Sequence, residues 1–134
     1  MPLEEARSLL KVAERDWEIL LVLKDAPRVH LSGVAFHAQQ LIEKSLKAVL
    51  AQADLPFDRS HDLIRLATTL TAAGHQLPLS LDELARLTPY AVVFRYDDTD
   101  IEILTRDEAV SCARRIRAWA TQVVTNQEEK RDQP

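Results

Sequence analysis

An all-α, up-and-down antiparallel bundle of about five helices is the fold class this sequence predicts, and three observations predict it. Apolar residues recur at three- and four-residue steps over long stretches, the period of a helix with one face on a core. The chain has two glycines among 134 residues and is rich in Ala and Leu, which favours helix over sheet. No segment shows the strict apolar–polar alternation of a half-buried strand. Amphipathic helices joined by short connections pack as antiparallel neighbours.

The first helix is expected over residues 3 to 24, where Leu3, Ala6, Leu10, Ala13, Trp17 and Leu20 form one stripe. Pro27 ends it. Glu4, Glu5, Glu14, Asp16 and Glu18 give it an acidic outer surface. The second helix centres on residues 34 to 50, with Ser32 as the expected N-cap. At about 100° per residue, Phe36, His37, Gln40, Glu43, Lys44 and Lys47 share one face, and Leu31, Ala35, Ala38, Ile42, Ser45, Val49 and Ala53 the other. A loop over residues 55 to 59 leads to Ser60, the expected cap of a third helix with Leu63, Leu66, Ala67 and Leu70 inward, stopped by Gly74.

Ser80-Leu81-Asp82-Glu83 reads as a capping box opening a fourth helix. Pro89 interrupts it. Thr88 is expected to recap, with Pro89 at the first helical position, so that a kinked helix reaches about Tyr96. Residues 97 to 100 are an acidic loop. Thr105-Arg106-Asp107-Glu108 reads as a second capping box, starting a fifth helix with Ala109, Cys112, Ala113, Ile116, Trp119, Ala120 and Val123 inward. The domain is expected to span 1–125, followed by a polar, frayed tail over 126–134.

Composition narrows the function classes. The chain is 46% hydrophobic and 28% charged, which is ordinary globular usage and fits one core. Its formal net charge of −4 argues against a general grip on nucleic acid, which needs many phosphate contacts from Lys and Arg. No apolar run approaches the ~20 residues of a membrane span. The acidic N-terminus lacks a signal-peptide core, so cytoplasmic residence is expected. The one cysteine, Cys112, excludes an intrachain disulfide and fits a buried core position. No Gly-rich phosphate loop, nucleophile elbow or paired metal-ligand spacing is present, and neither a metal nor a cofactor is expected.

Two constellations stand out. On the second helix, Gln40, Glu43, Lys44 and Lys47 lie one turn apart. Spacing alone allows a solvated face with Glu43–Lys47 as a surface pair. Phe36 beside them points instead to a covered face, a cleft or a subunit contact. The other constellation is Phe94-Arg95-Tyr96-Asp97-Asp98. There Arg95 offers a planar donor fork for phosphate or carboxylate, and Tyr96 a ring that can stack on a base. A plain Arg95–carboxylate bridge fits the same residues. Of the histidines, His37 shares the second helix's polar face, and His61 next to Asp62 suits a local cap. Arg106, Arg114, Arg115 and Arg117 make a basic cluster that can face the acidic first helix or dock an acidic partner.

Taken together, the chain resembles the HEPN domain (higher eukaryotes and prokaryotes nucleotide-binding). The residues that carry the resemblance are Phe36-His37-Ala38-Gln39-Gln40-Leu41-Ile42-Glu43-Lys44-Ser45-Leu46-Lys47-Ala48, His61-Asp62-Leu63, and Leu87-Thr88-Pro89-Tyr90 leading to Arg95-Tyr96-Asp97. The closing segment Ala113-Arg114-Arg115-Ile116-Arg117-Ala118-Trp119 adds to it. The resemblance implies a helical bundle that usually forms a homodimer. It implies either a companion of a minimal nucleotidyltransferase, often in a toxin–antitoxin-like pair with a nucleotide bound near the bundle cleft, or a metal-independent ribonuclease. The ribonucleases carry an Arg followed four to six residues later by His. Here residues 96 to 102 are Tyr, Asp, Asp, Thr, Asp, Ile and Glu, and the imidazole is missing. Without it there is no near-neutral acid or base for attack on phosphate.

The expected function is therefore a non-catalytic nucleotide- or partner-binding subunit, with ribonuclease and pure dimeric interaction module as alternatives. Arg95 and Lys47 hold phosphate, Tyr96 braces the base and Gln40 reads a polar edge. Glu43 orients Lys47 or Arg95, His61 supports the facing loop and His37 lies on the same face. RNA is not favoured as a partner.

Overall fold

The computed structural model describes residues 2–91 and 104–131. Five α-helices occur there in the order α1 (Pro2–Leu23), α2 (Leu31–Gln52), α3 (Leu63–Ala72), α4 (Leu81–Leu87) and α5 (Arg106–Arg131). A 3-10 turn, Thr88–Ala91, follows α4 directly. No strand occurs among the described residues. The expected all-α bundle is what forms, and no helix among these residues is long and apolar enough to cross a membrane.

The packing centres on α2, which lies against α1 and α5 and also touches α3, α4 and the 3-10 turn. Because it has neighbours on several sides, its buried residues occupy more than one stripe. Leu31, Val34, Leu41, Ile42, Leu46 and Leu50 are all in the core. Trp17 and Leu20 of α1, Leu63 and Leu70 of α3, Leu84 and Leu87 of α4, and Ile116 of α5 complete the main cluster. A smaller cluster closes the far end, where Leu3, Ala6, Ala48, Ala51 and Val124 meet. Cys112 is buried, as its place on the inward face of α5 predicts.

Helix ends differ from the sequence reading in informative ways. His30, not Ser32, caps α2: its Nδ1 accepts from the Ser32 backbone N–H at 3.0 Å. Asp62, not Ser60, caps α3 by accepting from Ile64 N–H at 3.0 Å, while Ser60 Oγ accepts one step earlier, from Asp62 N–H. Both shifts have the same cause. A side-chain acceptor two residues before a free amide closes the same ring whichever polar residue supplies it. The Ser80–Glu83 capping box forms with both reciprocal bonds. Thr88 does not recap: its backbone is helical and its hydroxyl donates to Leu84 O at 3.0 Å, so Pro89 tightens the chain into the 3-10 turn. At α5 the Thr105 hydroxyl accepts from Glu108 N–H, and the Glu108 carboxylate takes Arg86 at 2.7 Å. The same helix continues through 126–131, where composition alone pointed to a frayed tail. There Glu128 takes Arg7 Nε at 2.6 Å.

The turns are equally explicit. Both α2 and α3 end in the doubly bonded C-cap that needs a left-handed residue. In α3 that residue is Gly74, at φ 94°, with His75 N–H on Leu70 O. In α2 it is Asp54, at φ 56°, with Leu55 N–H on Leu50 O. The α1–α2 turn is held from a distance. Arg106 donates to the carbonyls of Leu23, at the end of α1, and of Ala26 and Val29 in the turn, adding to the turn's own bonds from Ala26 N–H to Leu23 O and from Val29 N–H to Ala26 O.

Candidate functional site

Four-residue steps along α2 put Gln39, Glu43 and Lys47 in line, with Gln40 beside them. The loop after α2 and the start of α3 lie over this line, because the Asp62 cap fixes the chain where His61 precedes it. Glu43 is only 4% exposed, so the strip is a covered face and not a solvated one. A carboxylate removed from water must be hydrogen-bonded and charge-compensated. Glu43 Oε1 accepts from His61 Nδ1 at 2.7 Å and from Gln39 Nε2 at 3.1 Å, and Oε2 accepts from Lys47 Nζ at 3.1 Å. Gln39 Nε2 also reaches the His61 carbonyl at 3.3 Å, and Gln40 Nε2 donates to Gln39 Oε1 at 2.7 Å. His61 thus works as a strut to α2 in place of the local cap expected of it. Its ring is 63% exposed. With Nδ1–H committed to the carboxylate, the acceptor nitrogen of the neutral ring is Nε2.

A second carboxylate repeats the arrangement on the neighbouring arc of α2. Asp16 of α1 accepts from His37 Nδ1 at 3.0 Å and from Lys44 Nζ at 2.7 Å. Phe36 sets its ring edge-on to His37, with centroids 5.1 Å apart. Asp16 is therefore not part of an acidic outer surface. It is buried between α1 and α2.

Of the candidate residues, Gln40, Glu43, Lys47 and His61 form one network, and His37 belongs to the adjacent one. Arg95 and Tyr96 lie outside the described residues. The chain approaches them from Ala91, at the end of a 3-10 turn that packs on α2. Sequence reasoning missed Gln39 and Asp16. Gln39 precedes Glu43 by one turn, and Asp16 follows Ala13 by three residues and precedes Leu20 by four, so both positions carried a signal. Among the described residues no group of three or more His, Cys, Asp or Glu side chains gathers as a metal site would need. A groove of about 380 Å³ borders the same loop, lined by Pro56, Phe57, Asp58, Arg65, Leu66 and Thr69, and holds none of the candidates.

The basic cluster of α5 is spent on the bundle itself. Arg117 forks onto Glu14 at 2.8 and 2.6 Å, and its guanidinium lies 5.0 Å from the Trp17 ring centre. The hydrogen bond from Arg117 holds the Glu14 carboxyl below its ordinary value and raises the Arg117 value in turn. Arg115 pairs with Glu83, and together with the Ser80 cap this pulls the Glu83 carboxyl down to about 2. Burial, and next the Glu83 charge, push the Cys112 thiol up to about 11, so it is protonated at neutral pH.

Comparison with known proteins places this geometry in context. The family model described as the HEPN domain matches residues 3–124. The crystal structure of ST0689, an archaeal HEPN homologue, superposes with a TM-score of 0.61 at 23% identity, covering 89% of this chain and 97% of that one. At that identity the likeness is one of fold. A search of curated proteins returned no match.

Proposed function

Because the chain belongs to the HEPN domain family, we propose that it is a non-catalytic nucleotide-binding subunit, homodimeric, working beside a minimal nucleotidyltransferase in a toxin–antitoxin-like pair. The observation that carries the ligand reading is the Glu43 network. A buried carboxylate holds an ammonium and an imidazole in fixed positions before any ligand arrives. Preorganised donors lose less freedom on binding than mobile surface lysines do. Lys47 spends one of its three N–H donors on Glu43 and has others for a phosphate oxygen. Arg95 adds its fork from the chain beyond the 3-10 turn, and Tyr96 braces the base. Gln40, whose amide nitrogen is engaged with Gln39, offers its carbonyl to a polar base edge. The partner enzyme and the paired system are supported by the family resemblance together with the lack of a His at residues 96–102, which departs from the ribonuclease pattern. Residence in the cytoplasm is part of the same proposal.

Thermal unfolding with added ribonucleotides tests the ligand reading. A nucleotide at 100 times its Kd stabilises by about 2.7 kcal/mol, an upward shift of several degrees for a domain of this size. Arg95→Ala, which changes neither Glu43 nor its described partners Gln39, Lys47 and His61, abolishes the shift. An unchanged midpoint in the wild type, or an equal shift in Arg95→Ala, removes the ligand reading. The carboxylate-oriented imidazole favours one second reading, metal-independent RNA cleavage with His61 as proton acceptor. Labelled RNA incubated with chelator decides it: cleavage by the wild type and none by His61→Ala supports that chemistry, and intact RNA excludes it.

A further inference from the structure

The amide of Gln39 is fully buried within the Glu43 network and is hydrogen-bonded at both of its ends. Its Nε2 lies 3.1 Å from Glu43 Oε1 and 3.3 Å from the His61 carbonyl oxygen. Both neighbours are acceptors. An ionised carboxylate, paired here with the Lys47 ammonium, only receives hydrogen bonds, and so does a backbone carbonyl. Turning the Gln39 amide over would set its oxygen against those two oxygens, with no donor for any of them. The amide is therefore fixed in one orientation, with Oε1 towards Gln40. Gln40 Nε2 donates to that oxygen at 2.7 Å. Gln40 itself is half-buried, and its Oε1 has no partner among the described residues and is not enclosed.

We propose that this chain of amides makes the site selective for bases that present an amino group, so that its ligand is an adenine or a cytosine nucleotide. The inference rests on the ligand reading of the preceding section and adds Gln39 to it as a positioning residue. The direction of the chain is set at its inner end. Glu43 accepts, Gln39 donates inward and accepts from Gln40, and the Gln40 carbonyl is left as the free end. A carboxamide alone on a surface turns over at little cost and suits a donor or an acceptor alike. Gln40 can turn only by placing its oxygen on the oxygen of a buried amide that cannot follow it. A hydrogen-bond donor on the ligand is therefore met, and an acceptor at the same point is refused. The 6-amino group of adenine and the 4-amino group of cytosine are donors where hypoxanthine, guanine and uracil carry a carbonyl oxygen. The phosphate end draws no such distinction, because the Lys47 ammonium is a point charge that meets every nucleotide alike.

Isothermal titration calorimetry of the full chain with ADP, IDP, CDP and UDP tests it. All four share ribose and diphosphate, so the ratios ADP to IDP and CDP to UDP isolate the base edge. Each amino-bearing member is expected to bind about tenfold or more tightly than its oxo counterpart, and a gap in one pair alone names the base. Gln40→Leu, at a half-buried position, is expected to keep its helical circular dichroism and to bring the ratios to within about twofold of one. Gln39→Met leaves Gln40 in place but frees its amide to turn, and should level the ratios in the same way. A merely structural role for Gln39 would instead lower all four affinities together and preserve the ratios, which overturns its assignment. Should Gln39→Met fail to fold, Gln40→Leu decides. Equal affinities within both pairs in the wild type overturn the proposal and leave the ligand reading standing. Ratios that survive Gln40→Leu also overturn it, since the amino group is then read elsewhere. If none of the four binds, the ligand reading fails and the proposal with it.

Discussion

Single residues here are legible through what they must satisfy. Glu83 closes the capping box of α4 by accepting from the Ser80 N–H, takes Arg115 and adjoins the Cys112 thiol. Its carboxyl is held down at about 2, from an ordinary 4.5, chiefly by Arg115. A depressed folded value stabilises the native state above the ordinary carboxylate range, and the contribution is lost as the pH falls from 4.5 through about 2. Glu83→Gln should therefore flatten the acid limb of a urea-midpoint profile over that window, with a lower midpoint at neutral pH. Ser45 makes the opposite case. Its hydroxyl is buried with no hydrogen-bond partner among the described residues. Ser45→Ala removes an uncompensated polar group and should leave stability unchanged or raise it by up to about 1 kcal/mol, read from chemical denaturation. Sequence placed Ser45 on the core face but could not say that its hydroxyl lacks a partner, because that depends on which side chains surround it. It likewise took Asp16 for an outer residue. The period put Asp16 at the edge of the stripe, and only the positions of His37 and Lys44 decide that the edge is covered.

At the scale of elements, the helices were readable because their period and stop signals act within a turn or two. The Ser80 box and the Gly74 stop are local chemistry, and both form as the spacing predicts. The caps of α2 and α3 moved by two residues because neighbouring polar side chains compete for the same free amides. What could not be read was any bond across the sequence, such as Arg106 on the carbonyls of the α1–α2 turn. The end of α2 yields a direct test. Asp54 sits at φ 56°, where a β-carbon is crowded and glycine is not. Asp54→Gly should stabilise by about 0.5–1 kcal/mol, less whatever glycine costs in the unfolded chain, and differential scanning calorimetry would show it as a raised Tm. A lowered Tm would mean that the Asp54 carboxylate has a role the backbone does not reveal.

For the whole molecule, the candidate site was half visible in advance. Gln40, Glu43 and Lys47 share a face by arithmetic alone. That His61 would close over them required the fold, since the nine residues 53–61 between the end of α2 and the Asp62 cap of α3 must turn back onto the helix. Glu43 sits at the junction. It is at once the compensator of a buried strip and the support of Lys47, which is proposed to meet phosphate, so substitutions there mix stability with binding. Arg95→Ala remains the sharper probe for that reason.

One arrangement reaches beyond function. The first turns of α1 and the last turns of α5 share a small apolar cluster, and Arg7 is tied to Glu128. The two ends of the bundle are therefore neighbours in space, and a short flexible tether could join them without distorting either helix. Cut open instead at the exposed Gly74 turn, such a rewired chain should reach the same native state, folding from a different starting point along an otherwise unchanged topology.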